Sequence, residues 1–361
     1  MDKTDDKMAL AASPKEDMKG RLWTHVAAFL SMKSTNTRKT YIPILKEWNM
    51  FISGEEMGLW AEKAFLNATE IDAIKYINWL RSRPGQSPRL KSSESDKEMP
   101  AIVGERPLSR DGTQYTLTNS TIRKKIAALR RIYRVAISAG LYNKPNPFAS
   151  ESVKLPSAQS GQKRPTEMVD FNMVSKIISL PDEDTPKGLR DKAILAVLFG
   201  GGLRRSEAAA LRIGDVRKTA KGTVYLVLRS TKSGKDANQA LPPWAAKIVL
   251  RQVSERLQRG AKSGDYLFVS FRGKGGSVET KAPISHSGIY KLFKRYCHAA
   301  GIKNFVSPHS ARATSITKLL DEGLSHREVL EFSRHSSIQM VEIYDKRRYS
   351  VDESPAKKLD F

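Results

Sequence analysis

Four short segments in the second half of the chain hold the side chains with the most chemical scope. They are Gly202-Leu-Arg204-Arg-Ser-Glu207, Thr231-Lys232-Ser-Gly-Lys235, His309-Ser-Ala-Arg312, and His335 followed nine positions later by Tyr344. Read singly, each has an ordinary explanation. Arg204 or Arg312 is a surface charge, His309 a satisfied or exposed imidazole, Tyr344 a tyrosine at the edge of a core. Read together, they offer guanidiniums that fork onto anionic oxygens, groups that carry protons, and a phenol hydroxyl. A tyrosine hydroxyl is a weak nucleophile near neutrality. It reacts only where neighbouring groups stabilise the charge that develops as the bond forms.

Competing chemistries lack their signatures. Gly200-Gly201-Gly202 does not have the G-x-G-x-x-G spacing, and Arg272-Gly-Lys-Gly-Gly276 does not have the order of a phosphate loop, so both are read as turns. The six histidines are scattered without a ligand pattern such as H-E-x-x-H, and no metal or nucleotide cofactor is expected. Cys297 is the lone cysteine, which excludes an internal disulfide and a multi-thiolate metal site.

The chain that must position these residues is 361 long, enough for two domains at ~100–200 residues each. Lys and Arg number 62 against 38 Asp and Glu, a net charge of +24 that favours a polyanion. Nucleic acid is the first candidate and an anionic membrane surface the second; basic residues that merely solubilise are the plain alternative. With 40% hydrophobic and 28% charged residues the composition is globular. No apolar run approaches the ~20 residues of a spanning helix. The first residues mix charge signs around no apolar stretch, so they are not read as a secretory signal, and a cytoplasmic, nucleoid-associated location is expected.

Hydrophobic spacing predicts a mainly α chain in two parts. Residues 1–19 read as a tail and 20–155 as a helical domain. Its first helix carries Leu22, Val26, Phe29 and Leu30, and a second runs over 35–52, where Pro43 is expected to bend or delay it. A third opens at Asn67-Ala-Thr-Glu70 as a capping box and turns Ile71, Ile74, Ile77 and Leu80 inward. A polar stretch over 83–117 reads as a long loop. The fourth helix follows Thr118-Asn119-Ser120, buries Ile122, Ile126, Leu129 and Tyr133, and ends at Gly140 in a left-handed cap. It bears a basic flank of Arg123, Lys124, Arg130, Arg131 and Arg134, read as DNA-binding, the alternative being a solvated face.

Prolines and small residues over 156–164 mark a linker, and 165–349 reads as mixed α/β, mostly helical with a small antiparallel sheet. A strand is predicted over 223–229 with its return at 239–241. Helices are predicted near 166–180, 188–200, 244–259, 286–299, 310–322, 326–332 and 337–348.

In the order Arg, Lys, His-x-x-Arg, His, Tyr, with the flanking Gly-Leu-Arg-x-Ser-Glu, the chain resembles the tyrosine recombinase (phage integrase) family, including its compact Cre-type members. Thr35-Asn-Thr-Arg-Lys-Thr-Tyr41, Ser120-Thr-Ile-Arg-Lys and Asn146-Pro147 look like the core-binding domain that precedes the family's catalytic domain. The sequence departs from the family pattern in having Ser333-Arg334-His335 where Leu-Gly-His is usual, Ala311 where Leu is usual, and a long 83–117 segment.

The resemblance implies a DNA-breaking-rejoining fold and a site-specific recombinase working through a 3′-phosphotyrosyl intermediate. In that scheme Tyr344 is the nucleophile, Arg204 and Arg312 clamp the phosphate, and Lys232 protonates the departing 5′-oxygen. His309 handles the tyrosine proton, His335 hydrogen-bonds the phosphate and Glu207 orients the site. Arg205 rivals Arg204, and Tyr349 rivals Tyr344. Bond energy is conserved in the phosphotyrosine link, so neither ATP nor a metal is called for.

The implied partners are duplex DNA with a specific recognition site, clamped between the two domains, three further copies of the chain in a homotetramer on two sites, and an accessory directionality factor; no membrane is implied. Residues 350–361 read as a tail that docks on a neighbouring protomer through Leu359 and Phe361. Integration or excision of a mobile element is the leading role and replicon dimer resolution the close second. A type IB topoisomerase-like enzyme and a catalytically silent DNA-binding regulator are the alternatives.

Overall fold

A computed structural model describes residues 21–54, 61–82, 117–149, 153, 167–229, 236–273, 278–302 and 306–345. The chain divides into two compact units, 1–161 and 162–361.

The first unit is all helix among the described residues: α1 (Arg21–Ser31), α2 (Thr35–Ser53), α3 (Glu62–Asn67), α4 (Glu70–Ser82) and α5 (Asn119–Ser138). Aromatic rings fill its centre. Trp48 donates its indole N–H to the Tyr133 hydroxyl at 3.0 Å, and that hydroxyl donates to the Phe65 carbonyl at 3.1 Å, so the polar ends of both buried rings are satisfied. Phe65 stacks on Tyr133 with centroids 4.2 Å apart. At its start, α5 is capped by Thr118, whose hydroxyl accepts the Thr121 N–H. Gly140 then takes φ +67 just past its end, as the sequence predicts.

Three local expectations are corrected. Helix α2 starts at Thr35 and continues through Pro43, so the proline does not delay it. At α4 the cap is Thr69, whose N–H and hydroxyl both bond Asp72, in place of a box at Asn67 and Glu70. The buried face of α4 is Ala73, Tyr76, Ile77 and Leu80, while Ile71 is 63% and Ile74 41% exposed. The isoleucine spacing suits a helical face, but the aromatic core recruits Tyr76 and rotates that face.

The second unit is built on α7 (Pro186–Gly200), whose residues from Ala193 to Phe199 are all buried. Before it lies α6 (Phe171–Ser179); after it come α8 (Arg205–Ala210) and a three-stranded antiparallel sheet, β1 (Val216–Lys218), β2 (Val224–Leu228) and β3 (Ala237–Ala240). Strand β2 alternates, burying Val224, Leu226 and Leu228 against the core. Helix α9 (Pro243–Gln258) packs on α7, a hairpin of β4 (Val269–Arg272) and β5 (Val278–Pro283) follows, and α10 (His286–Ala299), α11 (Pro308–Asp321), α12 (His326–Ser333) and the one-turn α13 (Gln339–Glu342) complete the unit. The pattern read as one helix over 337–348 shortens to α13 within the described residues. The β4–β5 hairpin and α8 were not expected from the pattern. No helix among the described residues is long and apolar enough to cross a membrane.

Candidate active site

The Gly-Leu-Arg segment owes its shape to backbone. Gly201 caps α7, and Gly202 follows at φ +55, a left-handed conformation that glycine adopts without a Cβ penalty. A Cβ at Gly202 would also lie 2.9 Å from the Phe332 ring. That turn aims the Gly202 carbonyl at the Arg312 guanidinium, which donates to it at 2.6 Å and also donates to the Ser333 carbonyl. Arg312 is fully buried on α11, yet neither partner is a carboxylate. Burial, with the nearby charges of Arg204 and Arg334, pushes its pKa down to about 9.

Arg204 stands at the N-cap of α8 and Glu207 at its third position. The Glu207 carboxylate accepts the Arg204 backbone N–H at 2.8 Å and its guanidinium at 2.6 Å. A second guanidinium, Arg334, reaches the same carboxylate at 3.0 Å. Burial raises the Glu207 pKa, but the two arginines outweigh it and hold the carboxyl below its ordinary value. Arg205 is exposed.

Tyr344 follows α13 and is 8% exposed. Its hydroxyl lies 3.4 Å from Nε2 of His309, at the start of α11. The His335 ring stacks on Tyr344, with centroids 5.9 Å apart and planes 4° from parallel. Burial, then the charges of Arg312 and Arg204, depress both imidazoles: His309 falls below its ordinary value and His335 to about 4. Both are therefore neutral at pH 7 in the DNA-free protein. A neutral imidazole facing a phenol hydroxyl accepts a proton; a neutral one beside a phosphate gains affinity for it on protonation.

Five of the six expected catalytic side chains thus converge, with Glu207, from segments up to 140 positions apart. Lys232 falls between β2 and β3 in sequence and lies outside the described residues, as do Tyr349, Leu359 and Phe361. In the sequence Arg334 stands out only as a departure from the family pattern, an arginine where glycine is usual before His335.

On α5 the basic residues separate. Arg123, Lys124, Arg131 and Arg134 are exposed, and Arg131 lies over the Phe29 ring at 5.5 Å. Arg130 is half-buried, and its Nε donates to the Phe148 carbonyl at 2.6 Å. Burial, then the charges of Arg134 and Arg123, lower its pKa, so these three cations repel one another along one stripe.

The Phage integrase family signature matches residues 167–350, about half of the chain. The tyrosine recombinase XerA of Pyrococcus furiosus is 29% identical over 243 residues, 67% of this chain and 78% of that protein. The tyrosine recombinase XerD of Neisseria meningitidis serogroup A is 29% identical over 292 residues, 79% of this chain and 89% of that protein. Among solved structures, the XerH site-specific recombinase in a post-cleavage complex on palindromic difH substrate aligns with a TM-score of 0.63. That alignment covers 90% of this chain and 81% of the other at 17% identity, a likeness of fold. With its signature spanning the unit in which a tyrosine, two histidines and the buried arginine meet, the chain belongs to the phage integrase family, as a tyrosine recombinase that cleaves and rejoins DNA through a tyrosine-linked intermediate.

Proposed function

We propose that Tyr344 is the nucleophile and that the site around it performs site-specific strand exchange on duplex DNA. The observation that carries this reading is the Tyr344 hydroxyl 3.4 Å from a depressed, neutral His309, beside the Arg204 and Arg312 guanidiniums. As the hydroxyl attacks the scissile phosphorus, its proton passes to His309 Nε2. The O–P bond to the 5′-oxygen breaks, and Lys232 supplies that oxygen's proton. The phosphate stays on Tyr344 as a 3′-phosphotyrosyl ester. Attack by another strand's 5′-hydroxyl reverses each step, so the number of phosphodiester bonds is conserved.

Arg204 and Arg312 stabilise charge on the non-bridging oxygens. The bare Arg312 pocket disfavours its own cation, and an arriving phosphate diester relieves that penalty. His335 hydrogen-bonds the same phosphate. Residues 20–155, within the first unit, serve as the DNA-binding domain through the exposed cations of α5, and 165–349 as the catalytic domain. The working assembly is a homotetramer on two sites, coupled through residues 350–361 and directed by an accessory factor. Its role is to integrate, excise or resolve a mobile element or replicon. The XerH complex on a palindromic substrate supports a recognition site with two inverted halves.

The test begins with duplexes that the wild-type protein selects from a randomised pool, rebuilt as nicked suicide substrates. Wild type should become covalently attached to the 3′ side of the break in excess EDTA and without ATP. Tyr344→Phe should bind the same duplex and form no adduct, while Tyr349→Phe should still form it. An adduct on Tyr344→Phe would overturn the assignment. Tight binding without any wild-type adduct would favour a silent regulator.

A further inference from the structure

Among the described residues, Arg334 is the one non-glycine with a positive φ, +53. It ends α12 by donating its N–H to the Leu330 carbonyl at 2.8 Å, the position where glycine removes the left-handed penalty. An arginine held there against strain is held by its side chain. That side chain is only 11% exposed; one terminal nitrogen donates to the Phe332 carbonyl at 3.0 Å and the other to Glu207 at 3.0 Å. Its Nε is buried without a hydrogen-bond partner, and both terminal nitrogens are engaged within the protein.

The geometry therefore links two catalytic segments that are far apart in sequence. Glu207 grips Arg204 twice, through backbone and guanidinium, and Arg334 grips Glu207 from the residue next to His335. The Arg334 carbonyl also lies 3.4 Å from the Arg204 guanidinium. With Arg204 as its sole partner, the Glu207 carboxylate would cancel the charge meant for phosphate. Shared between two guanidiniums, and with Arg312 nearby, it leaves the cluster net positive.

We propose that Arg334 is a positioning residue of the cleavage reaction, a clip that acts through Glu207 to fix Arg204 against the His335 turn and to keep the Arg204 charge available to phosphate. This inference rests on the recombinase reading above and adds a residue to it.

Replacing Arg334 by Gly removes the side chain while easing the backbone, so a purely structural role and a positioning role separate. Arg334→Gly should unfold at the same or higher urea concentration than wild type and bind the selected duplex equally well. It should cleave the suicide duplex about 10²-fold more slowly, the scale expected for a misplaced catalytic group. Glu207→Gln should also be slow, and Arg334→Gly combined with Glu207→Gln no slower than Glu207→Gln alone. Arg334→Lys should recover part of the rate.

Wild-type cleavage by Arg334→Gly, or losses that multiply in the double variant, would overturn the clip. A readout without DNA keeps the two readings apart. In the free protein, NMR of the Arg204 guanidinium Nη–H groups should show faster solvent exchange in Arg334→Gly. An unchanged Arg204 signal overturns the clip even where no duplex is cleaved, whereas absence of cleavage by wild type counts against the recombinase reading alone.

Discussion

Arg312 is where folding and catalysis oppose each other most strongly, and Arg312→Met separates them. The wild-type guanidinium is fully buried near Arg204 and Arg334, with its pKa pushed from 12.5 to about 9. Such a depression corresponds to a penalty of about 5 kcal/mol for keeping the charged form inside the fold. Methionine fills similar space without that charge. In exchange it leaves the Gly202 and Ser333 carbonyls without their donor, at about 1–3 kcal/mol each. The two contributions nearly offset, so the DNA-free variant should lie between about 1 kcal/mol less stable and about 3 kcal/mol more stable than wild type.

The transition state has no such offset. Losing one preorganised donor to a developing oxyanion costs about 10²–10³ in rate, and a guanidinium brings more than one. Urea denaturation of the free protein and single-turnover cleavage of a suicide duplex measure the two effects separately. The expected result is a small or stabilising shift in midpoint together with at least ~10² loss of cleavage. Destabilisation beyond about 4 kcal/mol would show that the carbonyl anchors outweigh the buried charge, and cleavage within about tenfold of wild type would remove Arg312 from the clamp.

Salt dependence should locate the DNA-binding surface of the first unit. Neutralising Arg131 and Arg134, both exposed on α5, should flatten the log–log salt slope of binding by about 2, whereas Arg130→Ala should mainly lower stability because its Nε anchors the Phe148 carbonyl. An unchanged slope in the Arg131/Arg134 variant would place the phosphate contacts elsewhere. Acid should destabilise the free protein through His335, whose pKa drops from 6.5 to about 4 on folding. The unfolded chain binds the proton first, so this contribution is present above pH 6.5 and is lost as pH falls to about 4; after discounting for solvent screening it amounts to about 1–2 kcal/mol. Urea midpoints from about pH 7 to about pH 4 should therefore fall less in His335→Gln than in wild type, and parallel curves would refute the assignment.

What was legible in the sequence was local. The apolar spacing of α1, α5 and α10, the Thr118 cap, the Gly140 stop and the alternation of β2 follow from backbone periodicity and capping, which depend on near neighbours. The order of the reactive residues was legible only through its resemblance to the tyrosine recombinase family, whereas the three-residue step from Arg204 to Glu207 is local, since it lets Glu207 cap α8 and pair with Arg204 at once. Other features required the folded chain. Ile71 and Ile74 fit a helical face, but the aromatic centre around Trp48 and Tyr133 selects Tyr76 and leaves them in water. The β4–β5 hairpin has weak alternation, and its pairing comes from residues up to 14 positions apart. Above all, the charge state of the site is tertiary. Arg312 reads as an ordinary cation until α11 buries it against the Gly202 and Ser333 carbonyls, and Arg334 reads as a misfit until it meets Glu207 from 127 positions away. Spacing along a chain sets which groups share a turn; only packing sets how far each charge is from water, and that distance decides what the group can do to a phosphate.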